Sequence, residues 1–257
     1  MTSTPVHQLL DPTVRTHLDR LRADPREAGP DGRLTGIVPG QAVLQIGAGA
    51  GGTTDRLAEF VGDGGSVTVV DADVHHLAAA GVVRVQRCDV DREPLPGGTQ
   101  SVDHIVARWH RPLRDPVDLV RQMIARLRPG GTLALVSITP TPPRVYRAPG
   151  AGDAQLIGTV MHQVRCAIAG PEGSWTSDVE NLLLDSGAAW HCSHTVRETW
   201  TGGDPGCRLL ADIVAHLRAT LTGLSDSDLG RFQALMADPR VLVASYRNLF
   251  IHAGRPA

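Results

Sequence analysis

Lysine is missing from this chain of 257 residues, so all 25 of its basic side chains are arginine. A Schiff-base lysine, a pyridoxal phosphate site and a Walker A phosphate loop each need an amine, which arginine does not supply. The sequence therefore excludes these three kinds of site. An arginine-only composition is also typical of a high-GC bacterial genome.

Cysteine is scarce, and the cysteines that are present lie far apart without forming a C-x-x-C pair. Such usage fits a reducing compartment, so we expect a cytoplasmic protein without structural disulfides. The residues concerned are Cys88, Cys166, Cys192 and Cys207.

Runs of one charge and long apolar runs are absent as well. The formal net charge is −2, and the arginines are scattered among acids, which argues against a nucleic-acid partner. Residues 1–13 are polar and interrupted by prolines, so neither a signal peptide nor a membrane partner is expected. The length and the 42% hydrophobic content fit one large α/β domain, or a core with a cap.

The stretch from Val43 to Thr54 is the feature around which the chain is organised. An apolar run breaks into Gly47, Gly49 and Gly51 and then resumes with helical spacing, which predicts a strand, a tight turn and a helix. Glycine takes positive φ and has no Cβ, so a ligand can press against the turn and meet the amides of the helix start. A nucleotide-like cofactor fits this pattern, although a G-x-G-x-x-G spacing alone also occurs in other α/β domains.

A second strand, Ser66 to Val70, ends on Asp71. This acid follows the glycine turn by about twenty residues, the spacing at which a carboxylate meets ribose hydroxyls in such folds. The alternative is that Asp71 caps a helix from Val74 to Ala80. The position at a strand end favours ribose binding.

A third strand, Val82 to Gln86, is followed by another acid, Asp89. Its carboxylate can accept an amino hydrogen bond from a purine, and Val90 can cover a face of the ring. Asp89 can equally be a turn residue. The pattern then predicts a fourth strand over 101–107, a helix from Asp115 that stops at the turn 127–131, and a fifth strand over 132–138.

Together these residues resemble class I S-adenosylmethionine-dependent methyltransferases of the small-molecule type. The resemblance covers residues 36–140 and rests on the glycine loop, the Asp71 strand end, the Cys88-Asp89 pair and the turn that begins at Leu127. The last two are not expected of nicotinamide-binding domains. The resemblance implies an α/β fold, a Rossmann-like seven-stranded doubly wound sheet with an antiparallel edge strand and a helical cap.

The resemblance also implies the roles of single residues toward S-adenosylmethionine. The ribose would lie on the Asp71 strand end, the adenine on the Asp89 turn, and the loop from Arg108 to His110 would face the cofactor. One position departs from the family, because Gln45 stands where Asp or Glu usually helps to hold the methionine ammonium. Glutamine still accepts a hydrogen bond but gives up the ionic contribution, about 0.5 to 1.5 kcal/mol in a partly exposed contact. The expected cofactor-binding residues are Gln45, Gly47, Gly49, Gly51, Asp71, Ala72, Asp89, Val90 and Arg108.

Three segments are predicted along the chain. Residues 1–35 form an N-terminal helical segment that covers the cleft, residues 36–140 form the cofactor-binding core, and residues 141–257 supply substrate cap helices and the closing strands. Within the last segment, Ser177 and Glu180 would cap a short helix, a strand would run over 190–200, and helices would start at Asp204 and Ser225. The runs 241–245 and 249–251 would make the closing strand, either as one run or as two.

Methyl transfer is an in-line displacement at a sulfonium, so the protein supplies alignment and, for a protonated acceptor, a base. His110, after the fourth strand, is the first candidate for this catalytic role, and His162 on a cap helix is the second. Each can instead be a solvated histidine. In the run 190–194, an extended strand would turn the first histidine away from Cys192 and His194, so no metal site is predicted.

The leading hypothesis is a cytoplasmic methyltransferase that moves a methyl group from S-adenosylmethionine to O, N or C of a small bacterial metabolite, in natural-product biosynthesis. The second keeps the fold without methylation, as a methyltransferase-like protein that performs an elimination or a ring closure, and Gln45 motivates it. A third is a non-catalytic binding partner. A nicotinamide oxidoreductase ranks last.

Overall fold

A computed structural model describes residues 36–49, 51–109, 113–170 and 178–257. The predictions for the segment 1–35, for His110 and for the Ser177 half of the capping box lie outside these residues. In the described part, the strands are β1 (Ala42–Ile46), β2 (Ser66–Asp71), β3 (Val83–Arg87), β4 (Val102–Arg108), β5 (Leu127–Ile138), β6 (Arg144–Arg147), β7 (Trp190–Val196), β8 (Thr199–Thr201), β9 (Leu242–Ala244) and β10 (Asn248–Gly254). The α-helices are α1 (Gly52–Val61), α2 (Pro116–Arg126), α3 (Ala151–Ala169), α4 (Val179–Asp185), α5 (Pro205–Leu217) and α6 (Asp226–Ala237).

Seven strands form the main sheet, in the order β3-β2-β1-β4-β5-β10-β7. Neighbours from β3 to β5 run parallel, whereas β10 runs antiparallel to both β5 and β7. The fold is therefore the Rossmann-like doubly wound sheet that the sequence predicts. Its antiparallel strand lies one position in from the edge strand β7.

The central strand β1 is apolar because both of its faces are covered. In β1, the run from Val43 to Ile46 has almost no exposed surface. Gln45 belongs to this run, so a polar amide is enclosed in the centre of the sheet. An amide in such a place needs hydrogen-bond partners.

Two helices start at the caps that the sequence indicates. Asp115 accepts a hydrogen bond from the Asp118 amide at 2.8 Å at the start of α2. At α6, Ser225 and Asp228 form a reciprocal capping box. At α4 the N-cap is Asp178, whose side chain makes no capping bond to the described residues. Of the helices in the described ranges, none is long and apolar enough to cross a membrane.

A second layer of structure stands beside the main sheet. Strands β6, β9 and β8 form an antiparallel sheet in that order, and helices α3, α5 and α6 pack with it around a separate apolar core. Trp200, Phe232 and Val243 are buried in this core. This small sheet was not predicted from the sequence.

Two predicted stretches of strand are shared between the two sheets. The predicted strand over 190–200 forms β7 in the main sheet and β8 in the small one. The predicted runs 241–245 and 249–251 are separate strands, β9 in the small sheet and β10 in the main sheet. Strand-like alternation continues on both sides of each break, so the pattern of apolar residues does not reveal the change of sheet.

The predicted helix over 74–80 is wrong, because short turns join β2 to β3. Asp71 Oδ1 accepts from the Asp73 amide at 3.1 Å, and Asp73 Oδ1 accepts from the His75 amide at 3.2 Å. Such local side-chain bonds offer the backbone an alternative to helical hydrogen bonds.

An ion pair fixes the start of β5 against β4. Arg128 Nη1 lies 2.8 Å from Asp103 Oδ2, and the same carboxylate oxygen accepts from the Ala42 amide at 2.8 Å. Partial burial by itself raises the pKa of Asp103. The Ala42 amide and the Arg128 guanidinium outweigh this effect, so the pKa lies below its ordinary value.

We expect Arg128→Gln to lower the free energy of unfolding by about 0.5 to 1 kcal/mol near neutral pH, the range for a partly exposed ion pair. Because the folded-state pKa is depressed, this contribution is present above the ordinary carboxyl pKa and is lost as pH falls through the folded-state value. Urea unfolding of both proteins near neutral pH and in acid measures it. A difference that persists unchanged in acid would contradict the role of Asp103.

Candidate cofactor site

The bend after β1 has the backbone geometry that its glycines indicate. Gly47, Gly49 and Gly51 have φ values of +80°, +58° and +94°, in the left-handed region. At Gly47, an added Cβ would also collide with the carbonyl oxygen of Arg108 at the end of β4. Gly51 is the N-cap of α1, so the free amides of the first helical turn lie at this bend.

Asp71 holds the bend from the end of β2. Its Oδ2 accepts a hydrogen bond from the Ala48 amide at 2.9 Å, and its Oδ1 accepts from the Asp73 amide at 3.1 Å. A carboxylate has about four acceptor positions, so this partly buried group can still accept from a diol such as a ribose. Ala72, directly after it, is exposed.

Gln45 lies two residues before the bend and has no exposed surface. Its Oε1 accepts from Thr54 Oγ1 on α1 at 2.8 Å, whereas its Nε2 has no hydrogen-bond partner among the described residues. A threonine hydroxyl both donates and accepts, so the amide can turn over. Thr54 would then accept from Nε2, and Oε1 would become available to an ammonium group.

Asp89 follows β3 and is engaged by its own turn. Its Oδ1 accepts from the Asp91 amide at 3.3 Å, and its Oδ2 lies 3.5 Å from Arg92 Nε. The neighbouring Val90 is buried in the core of the main sheet. These contacts agree with the alternative in which Asp89 is a turn residue. The contact of Asp89 and Val90 with an adenine stays a prediction.

The end of β4 closes the other side of the bend. The Trp109 amide donates to the Val136 carbonyl at 3.0 Å, which extends the pairing of β4 with β5 by one residue. Arg108 and Trp109 are both half-buried beside Gly47. Strand β4 thus delivers Arg108 and Trp109 to the same edge of the sheet as the bend.

His76 also contacts the bend, and sequence reasoning missed it. Its Nε2 lies 2.8 Å from the Gly49 carbonyl oxygen. The expected helix over 74–80 did not indicate that His76 would contact the glycine bend. The position of a histidine shortly after the strand-end acid Asp71 was the sequence signal for this contact.

The structure does not bring His162 to this group. His162 is exposed on α3, its Nε2 lies 3.5 Å from Cys166 Sγ on the same helix, and α3 packs with the small sheet, α5 and α6. Its catalytic role stays a prediction.

The cysteines and the histidines of β7 do not form a reactive centre. Burial raises the pKa of the Cys207 thiol to about 12. Burial, followed by the charge of Glu93, raises the pKa of Cys88. In β7, His194 stacks on Phe250 with ring centroids 5.2 Å apart. The described ranges contain no group of three His, Cys, Asp or Glu side chains able to hold a metal ion.

Residues 43–131, from β1 into β5, match the family model described as a methyltransferase domain. The ubiquinone biosynthesis O-methyltransferase of Xanthomonas campestris pv. campestris is 31% identical over 161 residues, which covers 58% of this chain and 65% of that protein. The ubiquinone/menaquinone biosynthesis C-methyltransferase of Ectopseudomonas mendocina is 30% identical over 116 residues, which covers 41% and 45%. The chain thus spans less than two thirds of either relative.

Solved structures share the fold. The YcgJ protein of Bacillus subtilis matches with a TM-score of 0.54 at 18% identity, over 86% of this chain and 94% of that one. Phosphoethanolamine N-methyltransferase 2 of Haemonchus contortus, in complex with phosphomonomethylethanolamine and S-adenosylhomocysteine, matches with a TM-score of 0.50 at 15% identity, over 87% and 51%.

The sheet order, the left-handed glycine bend and the strand-end carboxylate define a Rossmann-like domain for a nucleotide-type cofactor. The family match over residues 43–131 specifies it further. Residues 43–131 are thus similar to class I S-adenosylmethionine-dependent methyltransferases, whose cofactor is S-adenosylmethionine. The residues present fit this cofactor, because Gly47, Gly49 and Gly51 put no side chain at the bend and the Nε2 atom of Gln45 lacks a partner in the described structure.

Proposed function

We propose that this chain is a cytoplasmic methyltransferase that transfers a methyl group to O, N or C of a small bacterial metabolite, in natural-product biosynthesis. The observation that carries the proposal is the left-handed bend at Gly47, Gly49 and Gly51, held by Asp71 inside the segment that matches the methyltransferase family. The free thiols of all four cysteines support the cytoplasmic location. The arginine-only composition supports a bacterial origin.

When bound, S-adenosylmethionine supplies an electrophilic methyl group on a sulfonium. The chain's own residues bind and orient it in this proposal. Asp71 accepts from the ribose hydroxyls, the amides of the bend and of the α1 start face the cofactor, and Gln45 accepts from the ammonium. These residues would hold the cofactor at the carboxyl ends of β2, β1 and β4, and an acceptor positioned in line with the sulfonium would receive the methyl group.

The remaining assignments complete the proposal. Asp89 and Val90 contact the adenine, and Ala72 and Arg108 also contact the cofactor. His110, after β4, is the first candidate base for a protonated acceptor, and His162 is the second. We also propose the division of the chain into a covering segment over 1–35, a cofactor core over 36–140 and a substrate cap with closing strands over 141–257.

Calorimetry with S-adenosylhomocysteine tests the proposal. We expect the wild type to bind, and Asp71→Asn to bind about 10- to 100-fold more weakly, because a hydrogen bond to a charged group contributes about 1.5 to 3 kcal/mol. Asp73→Asn removes the same charge two residues further on and should change the affinity by less than about threefold. No heat with the wild type at millimolar ligand would refute the proposal. Equal losses in the two variants would refute the role of Asp71.

A second candidate function is a methyltransferase-like protein that carries out an elimination or a ring closure. The observation that favours it is the neutral amide of Gln45. A neutral amide binds the methionine ammonium more weakly than a carboxylate, so the sulfonium methyl group would be less well aligned with an attacking acceptor. Product analysis separates the two functions. Binding of S-adenosylmethionine without methylated product, across acceptors that the protein converts, would support the second function.

We expect Gln45→Asp to tighten binding of S-adenosylhomocysteine by up to about tenfold, because a charge-assisted hydrogen bond is about twice as strong as a neutral one. Methylthioadenosine lacks the methionine ammonium and should bind both proteins equally. Without ligand, the enclosed carboxylate should lower the free energy of unfolding by about 1 to 3 kcal/mol. Calorimetry and urea unfolding check these opposite effects. An unchanged affinity for S-adenosylhomocysteine would place the ammonium away from position 45.

A further inference from the structure

Three arginines from separate parts of the chain meet beyond the end of β5. Arg144 begins β6, Arg197 lies between β7 and β8, and Arg247 lies between β9 and β10. Arg197 Nη2 donates to the Pro142 carbonyl at 3.0 Å, and the Arg247 carbonyl accepts from the Thr139 amide at 2.8 Å. The three residues are termed the arginine cluster. Both contacts tie the cluster to the segment that leaves β5.

The positive charges of the cluster repel one another. Partial burial, followed by the charges of Arg247 and Arg144, lowers the pKa of Arg197, and a hydrogen bond with Tyr146 offsets part of this effect. Among the described residues, no carboxylate pairs with any of the three guanidinium groups. Arg197 Nε is buried and has no hydrogen-bond partner in the same part of the chain. A buried donor of this kind calls for an acceptor.

Arg144 lies on the face of the small sheet that is opposite the apolar core. Val145 packs into the apolar core of α3, α5 and α6, so alternation along β6 directs Arg144 to the opposite face. Arg144 is exposed there, Arg197 and Arg247 are half-buried, and the Tyr146 side chain is 52% exposed. With respect to the described part of the chain, each of the three arginines thus keeps exposed surface.

The position of the cluster along the main sheet relates it to the cofactor site. Asp71, the bend and Arg108 occupy the ends of β2, β1 and β4, and the same edge continues through β5, β10 and β7. Asn248 pairs with Ile138 on one side and with Val196 on the other, so Arg247 and Arg197 directly adjoin this edge. Strands are about 4.8 Å apart, which puts the cluster about 10 to 14 Å from the end of β4. A cofactor over β2, β1 and β4 leaves this side for the acceptor.

We propose that the arginine cluster binds an oxyanion group, a carboxylate or a phosphate, of the methyl acceptor. The identity of the ligand as the acceptor rests on the proposed function. Arginine presents paired N–H donors whose spacing fits the oxygens of either group. Such an anion removes the repulsion within the cluster and supplies the acceptor that Arg197 Nε lacks. The substrate is then an acid or a phosphorylated small molecule whose reacting atom points toward β4.

Calorimetric titration of the full chain, saturated with S-adenosylhomocysteine, tests the proposal with benzoate, phenyl phosphate and benzamide as probes. We expect at least one anion to bind about tenfold or more tightly than neutral benzamide, and the tighter anion identifies the group. Arg197→Gln and Arg247→Gln should each weaken anion binding by about fivefold or more and leave the affinity for S-adenosylhomocysteine unchanged. Arg84→Gln is the matched control, because Arg84 is exposed on β3 at the far end of the sheet.

Equal binding of the three probes would overturn the proposal, as would equal anion binding by the cluster variants and Arg84→Gln. If Arg197→Gln lowers the melting temperature, anion binding by Arg144→Gln replaces it as the test. Arg144 is exposed and its side chain makes no hydrogen bond to the described residues, so this substitution should not disturb folding. If the wild type fails to bind S-adenosylhomocysteine, the proposed function falls instead. The anion titrations, repeated without S-adenosylhomocysteine, then test separately whether the arginine cluster binds an anion.

Discussion

Replacement of Gly47 by alanine should lower the free energy of unfolding by about 2 to 5 kcal/mol and weaken binding of S-adenosylhomocysteine by at least about 30-fold. A left-handed backbone costs an alanine about 1 to 2 kcal/mol. The new Cβ also meets the Arg108 carbonyl oxygen, so the ends of β1 and β4 must separate. This shift moves the Ala48 amide away from Asp71, the contact that sets the shape of the bend.

Gly40→Ala is the matched control for this prediction. Gly40 has a φ of +89°, close to the value at Gly47, yet an added Cβ there meets no atom within 4 Å. We expect a loss of about 1 to 2 kcal/mol from backbone strain alone and no change in cofactor affinity. Urea unfolding and calorimetry measure both quantities. Equal results for the two glycines would show that the close approach of β4 to the bend is unimportant.

Phe232→Ala should lower the free energy of unfolding by about 3 to 5 kcal/mol, the usual range for the loss of a fully buried aromatic side chain. Phe232 has no exposed surface and lies in the apolar core of α3, α5, α6 and the small sheet. The strand-end residues of the cofactor site lie outside this core. We therefore expect the folded variant to keep its affinity for S-adenosylhomocysteine within about threefold.

Phe60→Ala provides the same chemical change on α1, where the side chain is only partly buried and lies near Arg56. Its effect on unfolding should stay below about 2 kcal/mol. Urea unfolding ranks the two variants, and calorimetry on the folded proteins measures cofactor affinity. A large loss of affinity in folded Phe232→Ala would contradict the proposed division at residue 140.

The parallel half of the sheet was predictable because its signals are local. Each of its strands is a short run with apolar or alternating apolar residues, and the observed bounds of β2, β3 and β4 lie within one residue of the predicted ones. The start of β5 was missed, because the Pro129 and Gly130 turn indicated a break. The structure continues the strand through it, and Gly131 is needed there, since a Cβ would lie 2.9 Å from the Asp103 carbonyl oxygen.

The small sheet could not be predicted, because its pairing is not local. Arg144 on β6 pairs with Ala244 on β9, far along the chain, and no local pattern marks either segment as a partner of the other. The bend and Asp71 were identified by their spacing. The arginine cluster was not identified, because its members lie at or next to the ends of different strands. Each of them, taken alone, resembles a solvated residue in a chain whose basic residues are all arginine.

Strand β10 inserts between β5 and β7, although more than a hundred residues separate it from β5 along the chain. At synthesis rates of about 5 to 20 residues per second, the edge of β5 stays unpaired for about 5 to 20 seconds before its neighbour exists. An open apolar strand edge is a template for pairing with another chain. The nascent polypeptide, rather than the finished fold, is therefore the form most exposed to aggregation and most dependent on chaperones.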